Sequence, residues 1–350
     1  GTPETRPEKS KDSPDLAPPD TFTKKPPQTN NIGQTPSLPV APVTHIKQKV
    51  TNIAQKNIAL ELRIVWVTIA LLALSWFLLL LHFLLPFSAL RFLAKGSSAL
   101  LYPSAAALLF ISGMRFFFGG QSIGGTIYTG LLWFGFVALS THLLRKRNFP
   151  ELALTAFPLL LIVIVALVWA LLGVIPLQEV KTPAIYRAWL FSLSQFFLYT
   201  SFGVLATAGS WLLISGYLKP FAKRGRGKGY GLHPESWNQL QLQPGMMVLI
   251  AFPLLTLAWV LRALWSLQTF GTAWYGWSTQ PRVIAGFVTW LLLSAYLFAL
   301  RLPKKKALLD SPDSYITRTN RFPSFLLLIA TLGGAALFVG AGFLTRLLVG

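Results

Sequence analysis

Eight apolar runs, most of them 20 to 25 residues long, recur along the chain, near 62–86, 98–117, 124–144, 152–175, 186–216, 247–267, 283–302 and 324–346. A helix needs roughly 20 such residues to cross the hydrocarbon core of a bilayer, whereas a soluble core has no use for so many in succession. Composition agrees, since 12% of the residues are charged, against about 25% in soluble domains. The pattern therefore predicts an all-α polytopic membrane protein with about eight transmembrane helices. The fifth run is the longest, and its start is expected to lie at the surface before the helix enters the bilayer.

The remainder divides simply. Residues 1–45 are polar and proline-rich; such a segment buries too little apolar surface to offset its ordering entropy and reads as a disordered extramembrane tail. Residues 46–61 carry a weak helical stripe, with apolar residues at 46, 50, 53 and 58, and are expected to form a short interfacial helix. Residues 62–350 are the membrane domain.

Sidedness follows from the loops, because Lys and Arg accumulate on the cytoplasmic side. The odd-numbered loops carry sixteen, among them Arg145, Lys146, Arg147, Lys304, Lys305 and Lys306; the even-numbered loops carry Arg115, Lys181, Arg187 and Arg282. Both termini and the aromatic loop 268–282 are thus expected on the extracytoplasmic side. The net charge of +20 is spent on this asymmetry and on the tail, so nucleic acid is not the expected partner.

The chemistry the residues allow is narrow. Past the tail the carboxylates are Glu61, Glu151, Glu179, Glu235, Asp310 and Asp313, all at expected span ends or in loops. Coupled transport places ionisable groups at mid-membrane, and none is expected there. Cysteine is absent, which removes disulfides and thiolate metal sites. His45 lies in the tail and His233 in a loop, His142 reads as interfacial, and His82 lies inside the first run. Arg262 falls about one turn from the outer end of the sixth run; it either snorkels to the interface or pairs with a propionate or lipid phosphate. The KRGRGKGYG stretch over 223–231 has glycines but no GK[ST] ending, and reads as a cytoplasmic loop touching anionic lipid. Gly333, Gly334, Gly340 and Gly342 suit close packing of the last helix. No catalytic constellation emerges, and the chain is expected not to be an enzyme.

Two stretches carry a resemblance. AFPLLTLAWVLRALW (251–265) leads into AWYGWSTQPRVIAGFVTW (273–290), and MRFFFGGQSIGGTIYTG covers 114–130. They resemble the CcsA/ResC branch of the cytochrome c biogenesis proteins, the haem-handling group that includes CcmC and CcmF. That group's signature is a tryptophan-rich extracytoplasmic loop. Trp274, Trp277, Ser278, Pro281, Phe287, Thr289, Trp290 and Tyr296 fall on its positions, as do Arg115, Gly120 and Tyr128 in the second match. RAWLFSLSQFFLYTSF (187–202) is a third, weaker match.

The departures are as informative. Where the resemblance implies haem-ligating histidines, this chain has Gln121 and Arg187, and its C-terminus reads TRLLVG. Thr279, Gln280, Val283 and Ala285 replace a Trp, the Asp, the Glu and the last Trp of the loop motif. Neutral imidazole is the usual axial ligand of haem iron, and Gln or protonated Arg is not.

The expectation is a degenerate relative that keeps the scaffold as a structural or assembly subunit of a larger electron-transfer or photosynthetic membrane complex, in a bacterial inner membrane or thylakoid. Trp274, Tyr275, Trp277, Arg262 and Trp290 would form an amphipathic platform for a partner, a lipid or a flat pigment. No cofactor is expected, with haem or another flat pigment as the exception. The alternative is an active haem-delivery component working with cytochrome c maturation partners; a transporter or a quinone- or lipid-binding protein comes third.

Overall fold

The structure, a computed structural model, describes residues 43–84, 91–117, 126–147, 150–173, 189–223, 234–273, 281–301 and 327–334, with side chains from Ile58 onward. The chain divides into two units, residues 1–51 and 52–350, and the packing below is that of the second. The helices are α1 (Val43–Leu84), α2 (Arg91–Phe117), α3 (Ile127–Lys146), α4 (Ala156–Gly173), α5 (Trp189–Lys223), α6 (Pro234–Phe270) and α7 (Pro281–Arg301). A 3-10 turn, Pro150–Thr155, precedes α4, and a π-helical turn, Ile329–Gly333, marks the described part of the last run.

The protein is an all-α polytopic membrane protein. Six of the described helices are long and apolar enough to cross a bilayer: Ile58–Leu84, Phe92–Phe117, Ile127–Lys146, Ala153–Leu172, Trp189–Leu218 and Leu242–Phe270. A shorter apolar stretch, Val283–Phe298, lies in α7. Helices suit this setting because they satisfy their own backbone in a medium without water. Their hydroxyls do likewise: Thr68 Oγ1 donates to Ile64 O at 2.8 Å and Ser104 Oγ to Leu100 O at 2.9 Å.

Helix α5 is the hub, packing on α3, α4 and α6. Every residue from Ser201 to Trp211 is buried, so this helix has no lipid-facing side over three turns. Small residues make the close approach feasible. A Cβ added at Gly203 would sit 2.9 Å from Val137 Cβ and 3.0 Å from the Phe134 carbonyl of α3, and one at Gly130 would collide with the Tyr199 ring. Polar bonds tie the same surfaces: Ser201 Oγ donates to Ala251 O of α6 at 2.9 Å, and Thr207 Oγ1 to Ala138 O of α3 at 3.0 Å. Trp133 Nε1 donates to Thr200 Oγ1 at 2.9 Å. Helix α1 joins through the Ser75–Ser97 hydroxyl pair at 2.8 Å and the Trp76–Phe157 stack, centroids 5.1 Å apart.

Helix runs unbroken through 46–61 into the first span. Glu61 stands at the start of that span, where Arg115 Nε donates to its Oε1 at 2.6 Å. One expectation changes: Arg262 stands eight residues before the end of α6 at Phe270, about two turns rather than one. His142 is fully buried. Its Nδ1 lies 3.5 Å from Thr155 Oγ1, and the Trp211 ring meets it edge-on at 6.4 Å. One turn further along α3, Lys146 Nζ bonds Ser98 Oγ of α2.

Candidate functional site

Helices α6 and α7 follow each other in sequence and enclose a cleft. Helix α6 ends at Gly271, whose φ of 72° suits glycine alone at no cost. Its N–H closes the last turn on Leu267 O at 3.0 Å, while Ser266 Oγ caps the exit by donating to Thr272 O at 2.7 Å. The chain then passes Ala273 and re-enters helix at Pro281, a residue well suited to a first helical turn.

Tryptophan chemistry fixes how the two helices face each other. Trp290 Nε1 of α7 donates to Thr256 Oγ1 of α6 at 2.9 Å, and Thr256 Oγ1 in turn donates to Phe252 O at 2.9 Å. The Trp290 ring stacks on Phe252 (6.0 Å, 17°) and on Phe287 (6.0 Å, 13°), and Trp259 meets Phe287 edge-on at 6.3 Å. Gly286 permits the approach: a Cβ there would lie 2.9 Å from Trp259 Cζ2. Behind α7, Gly334 packs on Thr289, where a Cβ would come within 2.5 Å of Oγ1. The expected close packing of the last helix is seen at this glycine.

Between these rings lies a cavity of about 230 Å³, lined by Thr256, Trp259, Val260, Arg262 and Ala263 of α6, Ala273 of the loop, and Phe287 and Trp290 of α7. Arg262 is its charged group. The guanidinium lies 5.9 Å from the ring centroids of both Phe191 and Trp265, within reach of a cation–π attraction. Both rings are buried and pack on each other at 4.8 Å, so the start of α5 positions the arginine.

Of the residues singled out from sequence, the structure brings Arg262 and Trp290 to one cleft. Trp274, Tyr275, Trp277, Gln121 and Arg187 lie outside the described residues. Sequence reading missed Trp259, Phe287 as a wall, and Thr256, whose hydrogen bond to a residue 34 positions away leaves no local signal. The second motif becomes a joint between the start of the first span, the end of α2 and the start of α3. Arg115 pairs with Glu61 and lies 4.5 Å above the Tyr128 ring. A reciprocal Thr126–Thr129 capping box starts α3 beside it.

Among histidines whose side chains are described, His82 stands in α1 and His142 in α3, and neither lines the cleft. Among the described residues no group of three His, Cys, Asp or Glu could hold a metal ion.

No family model and no curated protein matches the chain. A solved structure does: "Cytochrome c Heme Lyase CcmF" superposes with a TM-score of 0.53 at 20% identity, over 83% of this chain and 49% of the lyase. The fold is CcmF-like. The chain spans about half the length of that lyase, so the likeness concerns architecture.

The likeness to a heme lyase raises the question whether the cleft suits haem. Arg262 matches a propionate, but the Trp290 ring is already stacked on Phe252 and Phe287. An axial ligand is missing from the cleft's lining, and the intervening residues Trp274–Gln280 contain no histidine either. The residues present do not fit a ligated haem.

Proposed function

We propose that this chain is a non-catalytic, CcmF-like membrane subunit that serves a structural or assembly role in a larger membrane complex and docks a partner, lipid or pigment at its outer cleft. The observation that supports this most is the make-up of the cleft: it keeps two tryptophans and an arginine, and its lining offers no imidazole. Gln121 and Arg187, which stand where the family resemblance places histidines, point the same way. The setting would be a bacterial inner membrane or thylakoid, with an electron-transfer or photosynthetic complex as host.

Absorption spectroscopy of the purified chain tests the reading. A protein without a Soret band that co-purifies stoichiometrically with other membrane subunits is the expected result. The double variant Gln121→His/Arg187→His should still fail to retain haem, since residues 273–290 supply no imidazole of their own. Reducible bis-histidine bands in the unaltered chain would favour the second reading, a haem-delivery component of cytochrome c maturation, which the likeness to a heme lyase supports.

The same reading places loop 268–282 and both termini on the extracytoplasmic side. Because cysteine is absent, single cysteines at Ser278 and Ser311 can be labelled without background. Ser278 should react from outside only and Ser311 from the cytoplasm only; the reverse pattern overturns the orientation.

A further inference from the structure

We infer that the α6–α7 cleft holds an anionic phospholipid, with an acyl chain lying along the aromatic wall and the headgroup on Arg262. This rests on the docking reading above and names the occupant.

The cleft opens sideways, toward the bilayer. Val260 in its lining is 50% exposed, and its neighbours Leu257, Leu264, Ile284 and Val288 are also exposed. All are aliphatic, so a chain could enter from the bilayer without crossing water. The size suits a chain as well. About 230 Å³ falls below the roughly 300–1,000 Å³ of pockets that enclose whole drug-sized ligands. Trp290 is already stacked on Phe252 and Phe287, which uses its ring within the protein instead of offering it to a planar macrocycle.

The depth of Arg262 suits a headgroup. The sixth span is 29 residues long, about 43 Å of helix against a hydrocarbon core of roughly 30 Å. Arg262 stands eight residues, about 12 Å, from its end at Phe270. With the span centred, the Arg262 backbone lies about 5 Å inside the hydrocarbon boundary, a depth from which its long side chain snorkels outward to the phosphates. Charge decides which lipid. No Asp or Glu occurs anywhere in 236–309, so the unit supplies positive charge and no carboxylate of its own. A headgroup of net negative charge complements it, and a zwitterionic one does so less.

The test reconstitutes the full chain in vesicles of equal parts phosphatidylcholine and phosphatidylglycerol, with dibrominated acyl chains on one lipid or the other. Bromine quenches nearby tryptophan fluorescence. Brominated phosphatidylglycerol should quench the component lost in a Trp259→Phe variant more strongly, with a preference of about fivefold over phosphatidylcholine, the worth of one basic residue at a charged surface. Arg262→Gln should reduce that preference to none, whereas Arg262→Lys, which keeps the charge, should retain it. Ala263→Leu, which narrows the cleft, should lower quenching by both lipids.

An equal response to the two lipids, or a preference that survives Arg262→Gln, overturns the inference. So does displacement by inorganic phosphate, which would make the site one for a free anion, or stoichiometric haem in its place. Co-purification with partner subunits is read on the same preparations. Lost lipid preference with intact co-purification sinks this inference alone, whereas lost co-purification sinks the docking reading.

Discussion

The α3–α5 bundle and the α6–α7 pair belong to the same membrane domain but are packed on different terms. In the bundle, helices approach until glycine is required, and the hydroxyls of Ser201 and Thr207 reach carbonyls on neighbouring helices. In the outer half of α6 and α7, contact is made by rings, and an open volume of about 230 Å³ remains between them. Without a hydrophobic force between helices in lipid, association depends on close packing and hydrogen bonds. The bundle therefore supplies the stability of the fold. The pair, held by one tryptophan hydrogen bond and stacked rings, is where an apolar ligand can be admitted at little cost to the rest.

The sharpest way to break this contrast is to add the same small group to both regions. At Gly203 a new side chain meets Val137 Cβ and the Phe134 carbonyl, neither of which can swing aside. Gly203→Ala should cost about 2–3 kcal/mol, in the upper range of overpacking. Further along α5, Gly216 has nothing within 4 Å of an added Cβ, so Gly216→Ala should be neutral or slightly stabilising through helix propensity. Gly286→Ala meets only the far edge of the Trp259 ring, which borders the cleft and has room to turn into it. Its cost should be about 1 kcal/mol or less. Thermal unfolding in detergent micelles measures all three. A Gly286 variant as damaged as the Gly203 one would show that the cleft is as rigid as the bundle.

How much of this was legible beforehand depends on what each feature requires. Span existence was readable because bilayer thickness translates directly into run length, and the runs containing Leu72, Leu160 and Leu255 all became helices. Span ends were less so. Glu61 looked like a boundary because carboxylates seldom enter lipid, but its partner Arg115 stands 54 residues away and left no local signal. His142 looked interfacial from its basic neighbours, which gave no sign of the α3 rotation that turns it onto Trp211 while Arg147 stays exposed. The cleft shows the same limit. Trp290 and Arg262 stood out by residue type. Their surroundings (Thr256, Trp259, Phe191) depend on how helices far apart in sequence are rotated against each other, and a run of apolar letters does not encode that rotation.

A further pair of variants probes what holds the cleft in register. Trp290→Phe removes the Nε1 donor to Thr256 and keeps a ring able to stack on Phe252 and Phe287. Thr256 Oγ1 still donates to Phe252 O, so no buried donor is orphaned, and the loss should be about 1 kcal/mol, the net worth of a neutral hydrogen bond. Thr256→Val removes the other partner and leaves the indole N–H of a half-buried tryptophan without an acceptor, which should cost more, about 1–3 kcal/mol. The double variant should cost less than the sum of the two, because the bond can be lost only once. If the two losses simply add, Trp290 and Thr256 are not coupled. Register would then come from the glycine contacts of α7 at Gly286 and Gly334, and the rings would be walls of the cleft without being its hinge.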